Sequence, residues 1–327
     1  MISVDLLDDI LLSPTTNAWD SIISTLYNIF SPSFNQSPVQ EIIRREKKVN
    51  TLETLISGSC WDLWKSFEQA VPKTSQLIID FWNKNFNGKA VFIIDGLSLR
   101  EIPFILDGAR KRGFSIQQSK ISASALPSDT TYFAKSLGFS QRSSLENNSA
   151  GNTHLLKGAK TDCVDLPWRD CLKLIGPEPN WVLWHTWFDD KIHELKVPGK
   201  GLRELSVKSQ ENFTSDDFWA LVDKLSYGRR LVITSDHGYA ATGEFLNVGE
   251  DQGDYLKATY KNQRYTKSEN RENTWVPPID IEVDSPNGLF RYVLGLRKWR
   301  NSGGYPTLAH GGLSLMETLV PFIELSK

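Results

Sequence analysis

The sequence predicts an α/β protein, in which helices cover both faces of a mostly parallel sheet and a helical segment comes first. Two observations lead to this prediction. Residues 1–88 place apolar side chains three and four positions apart, a spacing typical of helices. From Lys89 onward, short apolar runs alternate with helical patterns, and this alternation is typical of a parallel sheet covered on both faces.

The helical segment covers residues 1–88. Trp19, Ile22, Leu26 and Phe30 recur at helical spacing, and a stretch rich in serine and proline at 31–38 interrupts the pattern. Further helical patterns then continue until an Asn- and Gly-containing stop just before Lys89. The segment shows no cluster of titratable residues, so we expect it to form a cap or a small helical subdomain.

Residues 89–327 form the second predicted domain. Polar stretches without periodicity at about 139–160 and 252–274 predict two insertions. Helix starts and stops follow from capping residues and glycine. The predicted strands are 90–94, 114–121, 181–187, 230–235, 289–296 and 319–325, and the predicted helices are 97–112, 131–137 and 214–225.

Composition limits the classes of function. The chain of 327 residues is long enough for one large domain or two smaller ones, and its 40% hydrophobic content indicates a globular protein. A net charge of −2 shows no overall basic surface for nucleic acid. The odd number of cysteines, together with the lack of a signal peptide or an apolar span, predicts a cytoplasmic protein without a membrane partner.

Carboxylate and imidazole side chains follow several of the apolar runs. In an open α/β sheet the carboxyl ends of neighbouring strands lie together, so we expect these side chains to meet and to bind metal. Asp189 and His193 are four residues apart and would stack on a helix, although a plain surface pair is the alternative. The candidate metal ligands are Asp95, Asp189, His193, Asp236, His237 and His310.

This set of donors predicts the kind of metal. Three imidazoles with three carboxylates favour borderline ions such as zinc, whereas magnesium prefers oxygen ligands and keeps its waters. Two such ions about 3.5–4 Å apart form a clamp used for phosphoryl and phosphodiester displacement. We therefore expect two zinc ions (Zn2+) per chain, with manganese (Mn2+) as the alternative.

Such a reaction also needs a nucleophile and a group that binds phosphate. Thr130 stands at the start of a predicted helix that follows a predicted strand, which makes it the candidate nucleophile. Ser128 and Thr131 are alternative hydroxyls, and a plain helix cap is the alternative role for Thr130. Arg100 is the candidate phosphate ligand through a bidentate fork, or else a solvated helix residue.

The order of these pieces resembles the PglZ domain of the alkaline phosphatase superfamily. The shared pattern includes Leu-Pro-Ser-x-Thr ending at Thr130, Thr-Ser-Asp-His-Gly at 234–238, and His-Gly-Gly-Leu-Ser beginning at His310. It also includes Glu317 and spans residues 89–327. One departure is the interval from Asp95 to Arg100, which is slightly longer than the commonest form in the family.

The resemblance implies an alkaline-phosphatase-like fold with a threonine nucleophile and two zinc ions. The implied ligand sets are Asp95, Asp236 and His237 with Thr130 for one ion, and Asp189, His193 and His310 for the other. PglZ proteins occur in bacterial anti-phage systems of the BREX type and in some response regulators. Their relatives include phosphatases, phosphodiesterases and nucleotide pyrophosphatases.

These inferences predict a phosphodiesterase that acts on nucleotide or oligonucleotide phosphodiesters through a phosphothreonine, in an anti-phage context. The basic, tyrosine-bearing stretch at 255–271 would follow a phosphate backbone, or else form a solvated loop. A phosphomonoesterase is the first alternative. The second is a weakly catalytic scaffold that contacts other defence proteins through residues 1–88.

Overall fold

The computed structural model of the protein describes residues 3–269 and 275–327. A run of helices precedes the first strand, in agreement with the spacing of apolar residues. Trp19, Ile22, Leu26 and Phe30 are buried along one face of the second helix. The bounds of these helices are α1 Val4–Leu12, α2 Thr15–Phe30, α3 Pro38–Ser59, α4 Leu63–Ala70 and α5 Thr74–Asn83.

The central sheet has six strands within the described residues. They are β1 Lys89–Ile94, β2 Ser115–Ala123, β3 Lys160–Val164, β4 Asn180–His185, β5 Arg230–Thr234 and β9 Leu319–Ser326, in the order β2-β9-β5-β1-β4-β3. Strand β1 is parallel to β4 and β5, and β3 is parallel to β4. Among the strands of this sheet in the described residues, only β9 is antiparallel to its neighbours, β2 and β5. The prediction of a mostly parallel sheet is confirmed.

Helices cover both faces of the sheet because its strands are apolar on both sides. Successive side chains of a strand point to opposite faces, and Phe92 and Ile94 join one buried core whereas Val91 and Ile93 join another. No helix of the described residues is both long and apolar enough to cross a membrane. The remaining helices are α6 Ile102–Lys111, α7 Thr130–Ser136, α8 Trp168–Cys171, α9 Trp187–Leu195, α10 Leu202–Phe213, α11 Asp216–Ser226, α12 Glu250–Tyr260 and α13 Leu315–Thr318.

A small antiparallel sheet lies apart from the central one. Its strands are β6 Tyr265–Lys267, β7 Asp280–Ser285 and β8 Gly288–Val293, in the order β6-β8-β7. The predicted strand at 289–296 corresponds to β8. It pairs with β6 and β7, so it adds no strand to the parallel sheet.

The two predicted insertions contain more structure than expected. Between 139 and 160, a stretch of 3₁₀ turns covers Arg142–Asn148, and β3 begins at Lys160. Between 252 and 274, the chain forms most of α12 and all of β6. Residues 270–274 of that stretch lie outside the described residues.

The helices of residues 1–88 share a hydrophobic core with the sheet. Trp19 from α2 and Ile56 from α3 belong to the same buried cluster as Phe92 from β1 and Leu205 from α10. The change from helices to strands falls between α5 and β1. The division of the chain into two domains at this point stays a prediction.

Candidate metal centre

Neighbouring parallel strands bring the predicted metal ligands together at one edge of the sheet. Asp95 follows β1 directly, the pair Asp236-His237 follows β5, and α9 after β4 carries Asp189. Since β5, β1 and β4 are adjacent and parallel, their carboxyl ends meet at this edge. His310 comes to the same place from the loop before α13.

Asp189, His193 and His310 form one group whose ligand atoms all lie within 4.8 Å of one another. Asp189 and His193 stand one turn apart on α9, and Nε2 of His193 lies 3.3 Å from Oδ2 of Asp189. Nε2 of His310 lies 3.3 Å from Nε2 of His193. This arrangement is what one ion held by a carboxylate and two imidazoles requires.

Asp95, Asp189 and His237 form a second group of the same kind. Nε2 of His237 lies 3.4 Å from Oδ1 of Asp95, 4.0 Å from Oδ1 of Asp189 and 3.6 Å from Oδ2 of Asp236. Asp189 therefore belongs to both groups, whereas the resemblance assigns it to one ion. Asp236 borders the second group, as the sequence predicts.

The two imidazoles His237 and His310 stack between the groups, with ring centroids 4.2 Å apart and an interplanar angle of 14°. Nδ1 of His237 lies 2.9 Å from the carbonyl oxygen of Gly238. A carbonyl only accepts hydrogen bonds, so this contact places a proton on Nδ1 and leaves Nε2 facing the carboxylates.

Burial and mutual repulsion make this edge electrostatically suited to a cation. Burial and the nearby charge of Asp95 raise the pKa of Asp236 to about 7. Burial alone would lower the pKa of His237, but the carboxylates around it, Asp236 first, raise the pKa well above its ordinary value. Carboxylates crowded in this way are stabilised by positive charge placed among them.

One buried oxygen shows directly that the residues present fit a metal ion. Oδ1 of Asp189 has no hydrogen-bond partner among the described residues, although it is buried between the two groups. It lies 3.9 Å from Nε2 of His310 and 4.0 Å from Nε2 of His237. Buried polar atoms are rarely left without a partner, and an ion between these atoms would supply one.

The hydroxyl of Thr130 faces the same groups. Its Oγ1 lies 2.7 Å from Oδ2 of Asp236, 3.4 Å from Oδ1 of Asp95 and 3.5 Å from Nε2 of His237. Ser128, the alternative hydroxyl, instead donates to the carbonyl oxygen of Gly312 at 3.4 Å. Of these two hydroxyls, it is therefore that of Thr130 which contacts the Asp/His residues.

Arg100 lies away from the site, and its position contradicts the prediction that it meets a phosphate oxygen. Its Nε and Nη2 donate to the two carboxylate oxygens of Glu46 at 2.8 and 2.7 Å, and its Nη1 donates to the carbonyl oxygen of Tyr239 at 2.9 Å. Both side chains of this ion pair are fully buried. Arg100 therefore joins helix α3 to the loop after β5, and its burial keeps it out of reach of a substrate.

The guanidinium of Arg142 reaches the site, and the sequence analysis did not identify this residue. Its Nη1 donates to Oδ2 of Asp95, and its side chain is 33% exposed, so it borders both the cluster and solvent. Nε1 of Trp184 donates to the same oxygen at 3.0 Å. Arg142 lies in the polar stretch predicted to be an insertion, where no spacing links it to Asp95.

The residues around His310 hold its loop in place. Glu317 accepts hydrogen bonds from Nε of Arg264 at 2.6 Å and from the backbone nitrogen of Gly312 at 2.9 Å. A Cβ atom at Gly312 would lie 2.7 Å from Nε of Arg264, so glycine is needed for this close approach. The second glycine after His310 thus makes room for the side chain of Arg264.

Comparisons with known proteins find only distant similarities. No family model matches the chain, and no curated protein matches it. Among solved structures, an inactive form of murine ectonucleotide pyrophosphatase/phosphodiesterase 5 in complex with AMP aligns over 73% of this chain and 88% of its own, with 13% identity and a TM-score of 0.43. Phosphonoacetate hydrolase from Sinorhizobium meliloti aligns over 72% and 89%, with 14% identity and a TM-score of 0.39.

Similarities with TM-scores this low carry no inference about the activity of the present chain. The resemblance to the PglZ domain therefore rests on the sequence motifs and stays a prediction. The arrangement of Thr130 and the Asp/His groups is the observation on which a function can be argued.

Proposed function

We propose that this protein is a metal-dependent phosphodiesterase acting on nucleotide or oligonucleotide phosphodiesters, with Thr130 as the nucleophile. One observation carries the proposal: Oγ1 of Thr130 lies 2.7 Å from Oδ2 of Asp236 and 3.5 Å from Nε2 of His237, beside one of the two Asp/His groups that share Asp189. A hydroxyl held among ligands for two cations is the arrangement that covalent catalysis of phosphoryl transfer needs.

The donors present favour zinc at this edge of the sheet, with manganese as the alternative. Two such ions would be held by the two groups that share Asp189, with Asp236 beside the second. When bound, they would supply positive charge that favours the ionised hydroxyl of Thr130 and offsets negative charge developing on the phosphoryl oxygens.

The protein's own residues perform the remaining steps. Asp236 accepts the hydrogen bond of Thr130 and so orients the hydroxyl towards the phosphorus. The hydroxyl of Thr130 gives its proton to Asp236 as Oγ1 bonds to phosphorus, the bond from phosphorus to the ester oxygen breaks, and the departing oxygen takes a proton from water. Water then hydrolyses the phosphothreonine, which returns the hydroxyl and releases a phosphate monoester.

Arg142 would bind the non-bridging oxygens of the substrate. Its guanidinium already lies at Asp95 and is partly exposed, so it needs little movement to reach a phosphate at the cluster. A guanidinium donates two parallel hydrogen bonds to phosphate, which fixes the orientation of the phosphorus as well as its charge. This gives Arg142 the role that the sequence assigned to Arg100.

Comparing esters tests the reaction class. The protein loaded with zinc or manganese is incubated with nitrophenyl phosphate, bis-nitrophenyl phosphate and thymidine nitrophenyl phosphate, and nitrophenolate release is followed. We expect the two diesters to have the higher kcat/KM. A strong preference for the monoester would establish the phosphomonoesterase alternative, and no release from any ester would leave the scaffold alternative.

A cytoplasmic location is proposed from the odd number of cysteines, and contacts of residues 1–88 with other defence proteins from a helical segment without predicted site residues. The anti-phage context rests on the resemblance to PglZ proteins. It is tested by phage plating on cells that carry the gene with its neighbouring genes, as wild type or as Thr130→Ala. We expect protection to depend on Thr130. Equal plating on both strains, with diesterase activity intact in vitro, would contradict the defence role and leave the enzyme activity standing.

A further inference from the structure

A cavity of about 530 Å³ opens beside the candidate metal centre. His193 and His310, which belong to one of the Asp/His groups, form part of its wall. Arg297, Lys298 and Trp299 form another part. A substrate whose reacting group lies at the Asp/His groups would therefore extend into this cavity.

Two cations in the cavity wall have no carboxylate partner within the described residues. Lys298 is only 7% exposed, and its Nζ donates to the carbonyl oxygen of Thr242 at 2.8 Å. Nη1 of Arg297 donates to the carbonyl oxygen of Leu294 at 2.7 Å. Backbone carbonyls satisfy these hydrogen bonds, but no carboxylate of the described residues lies within ion-pair distance of either side chain.

The carboxylates of Glu317 and Asp129 have partners other than Arg297 and Lys298. Glu317 is occupied by Nε of Arg264 at 2.6 Å, and it also accepts from Ser314. Asp129, the one acidic residue of the cavity wall in the described chain, accepts from the backbone nitrogen of Thr131 at 2.9 Å and from the hydroxyl of Tyr265 at 3.4 Å. Neither carboxylate pairs with Arg297 or Lys298.

The electrostatic environment of Arg297 and Lys298 agrees with the finding that neither forms an ion pair. Burial and repulsion from Arg264 lower the pKa of Arg297 against the attraction of Glu53 and Asp280, and burial lowers the pKa of Lys298 against the attraction of Glu244. Keeping an unpaired charge away from water costs free energy, and two such charges in one cavity cost more than one. An anionic ligand in the cavity would offset this cost.

We propose that the cavity binds a second phosphoryl group of the substrate while the reacting phosphodiester lies at the Asp/His groups. This inference rests on the proposed function and narrows it to diesters that carry at least one further phosphate, as an oligonucleotide does. The unused N–H groups of Arg297 and the ammonium of Lys298 are suitable donors for phosphate oxygens.

The test compares two esters that differ by one phosphate: thymidine nitrophenyl phosphate with and without a phosphate on its free sugar hydroxyl. The readout is the ratio of their kcat/KM values, because both esters release the same nitrophenolate. We expect the second phosphate to raise kcat/KM about tenfold in the wild type, and Arg297→Gln to reduce the ratio to about one. Arg297→Lys, which keeps the charge, should retain part of the preference.

Arg300→Gln is the matched control, since Arg300 is exposed, close in sequence and outside the cavity wall. It should keep the wild-type ratio. A ratio of one in an active wild type, or an unchanged ratio in Arg297→Gln, would overturn the second phosphate site while leaving the diesterase proposal intact. Circular dichroism of each variant excludes unfolding as the cause of a change.

A binding measurement separates this inference from the enzymatic one. Metal-free protein is titrated in a calorimeter with thymidine monophosphate and with thymidine bisphosphate. We expect the bisphosphate to bind more tightly by about tenfold, and Arg297→Gln to lose this difference, even if no ester is hydrolysed. Equal binding of the two nucleotides, with inorganic phosphate binding as well as either, would show a site for a free anion and overturn the substrate role.

Discussion

The hydroxyl of Thr130 and the carboxylate of Asp236 are 2.7 Å apart, although 106 positions separate the two residues in the chain. Thr130 is the first residue of α7, and Asp236 follows β5. The same hydroxyl lies 3.4 Å from Oδ1 of Asp95, which follows β1. A hydroxyl surrounded by carboxylates from two strand ends is positioned to be ionised when cations are bound among them.

Replacing Thr130 tests its role as the nucleophile. Thr130→Val keeps the branched shape but removes the hydroxyl, so we expect hydrolysis of bis-nitrophenyl phosphate to fall by about a thousandfold or more. Thr130→Ser keeps a hydroxyl and should retain measurable turnover. Mass spectrometry of the acid-quenched reaction should find a nitrophenyl phosphoryl group on residue 130 in the active forms. Substantial turnover by Thr130→Val would rule out covalent catalysis through this residue.

Asp189 and Asp190 form a matched pair for testing metal binding. Asp189 belongs to both Asp/His groups, whereas Asp190 accepts a hydrogen bond from the hydroxyl of Thr186 at 2.9 Å. We expect Asp189→Asn to lose most of the bound zinc or manganese, measured by elemental mass spectrometry after dialysis, because both ions would lose a carboxylate. Asp190→Asn should keep the wild-type content. Equal metal content in the two variants would contradict the proposed ligand set.

Arg142 and Arg100 should differ in what their loss changes. Arg142 is partly exposed at the cluster, so Arg142→Gln should lower kcat/KM for diesters by about tenfold to a hundredfold. Its loss of stability should be smaller than that of Arg100→Met, because Nε1 of Trp184 still donates to Asp95. Arg100 is buried against Glu46, so Arg100→Met should destabilise the fold by about 3–5 kcal/mol through the unpaired carboxylate. Urea unfolding and steady-state kinetics of both variants measure the contrast.

The double variant Arg100→Met with Glu46→Met serves as the control for that contrast. Removing both charges leaves no uncompensated ion, so it should recover most of the stability lost in Arg100→Met. If Arg100→Met kept the wild-type stability and instead lost affinity for the substrate, the phosphate-binding role predicted from the sequence would be restored.

Glu53 makes the stability of the fold depend on pH. Burial raises the pKa of its carboxyl to about 8, and one of its oxygens has no hydrogen-bond partner among the described residues. Between the ordinary value of 4.5 and about 8, the folded protein therefore holds a proton that the unfolded chain has released. The free energy of unfolding should fall as pH rises through this interval, by up to about 1.4 kcal/mol per pH unit.

Glu53→Gln removes this ionisation, and its amide oxygen is able to accept the hydrogen bond that the backbone nitrogen of Leu315 now donates at 2.8 Å. Urea unfolding between about pH 6 and about pH 8 should show a steeper loss of stability in the wild type than in the variant. Glu211→Gln, at an exposed position, should behave as the wild type does. Parallel curves for the wild type and Glu53→Gln would contradict the buried, protonated carboxyl.

Local patterns in the sequence were enough to predict where strands end and which side chains stand there. Asp95 and the pair Asp236-His237 follow apolar runs directly, and an open parallel sheet brings such positions to one edge whatever the loops do. The helical spacing of α2 was also predictable, because periodicity is a local property of the sequence. Strand β8 was also predicted as a strand, but its placement in a separate sheet depends on pairing with β6 and β7.

Only the tertiary structure decided which charges meet. Arg100 pairs with Glu46, 54 residues earlier, while Arg142 reaches Asp95 from 47 residues away, and neither contact has a sequence spacing that marks it. The sharing of Asp189 by two groups and the cavity with its unpaired Arg297 likewise depend on how distant loops fold together. A strand end sets where a backbone position lies, but a long cationic side chain pairs with whichever carboxylate the packed chain brings within reach.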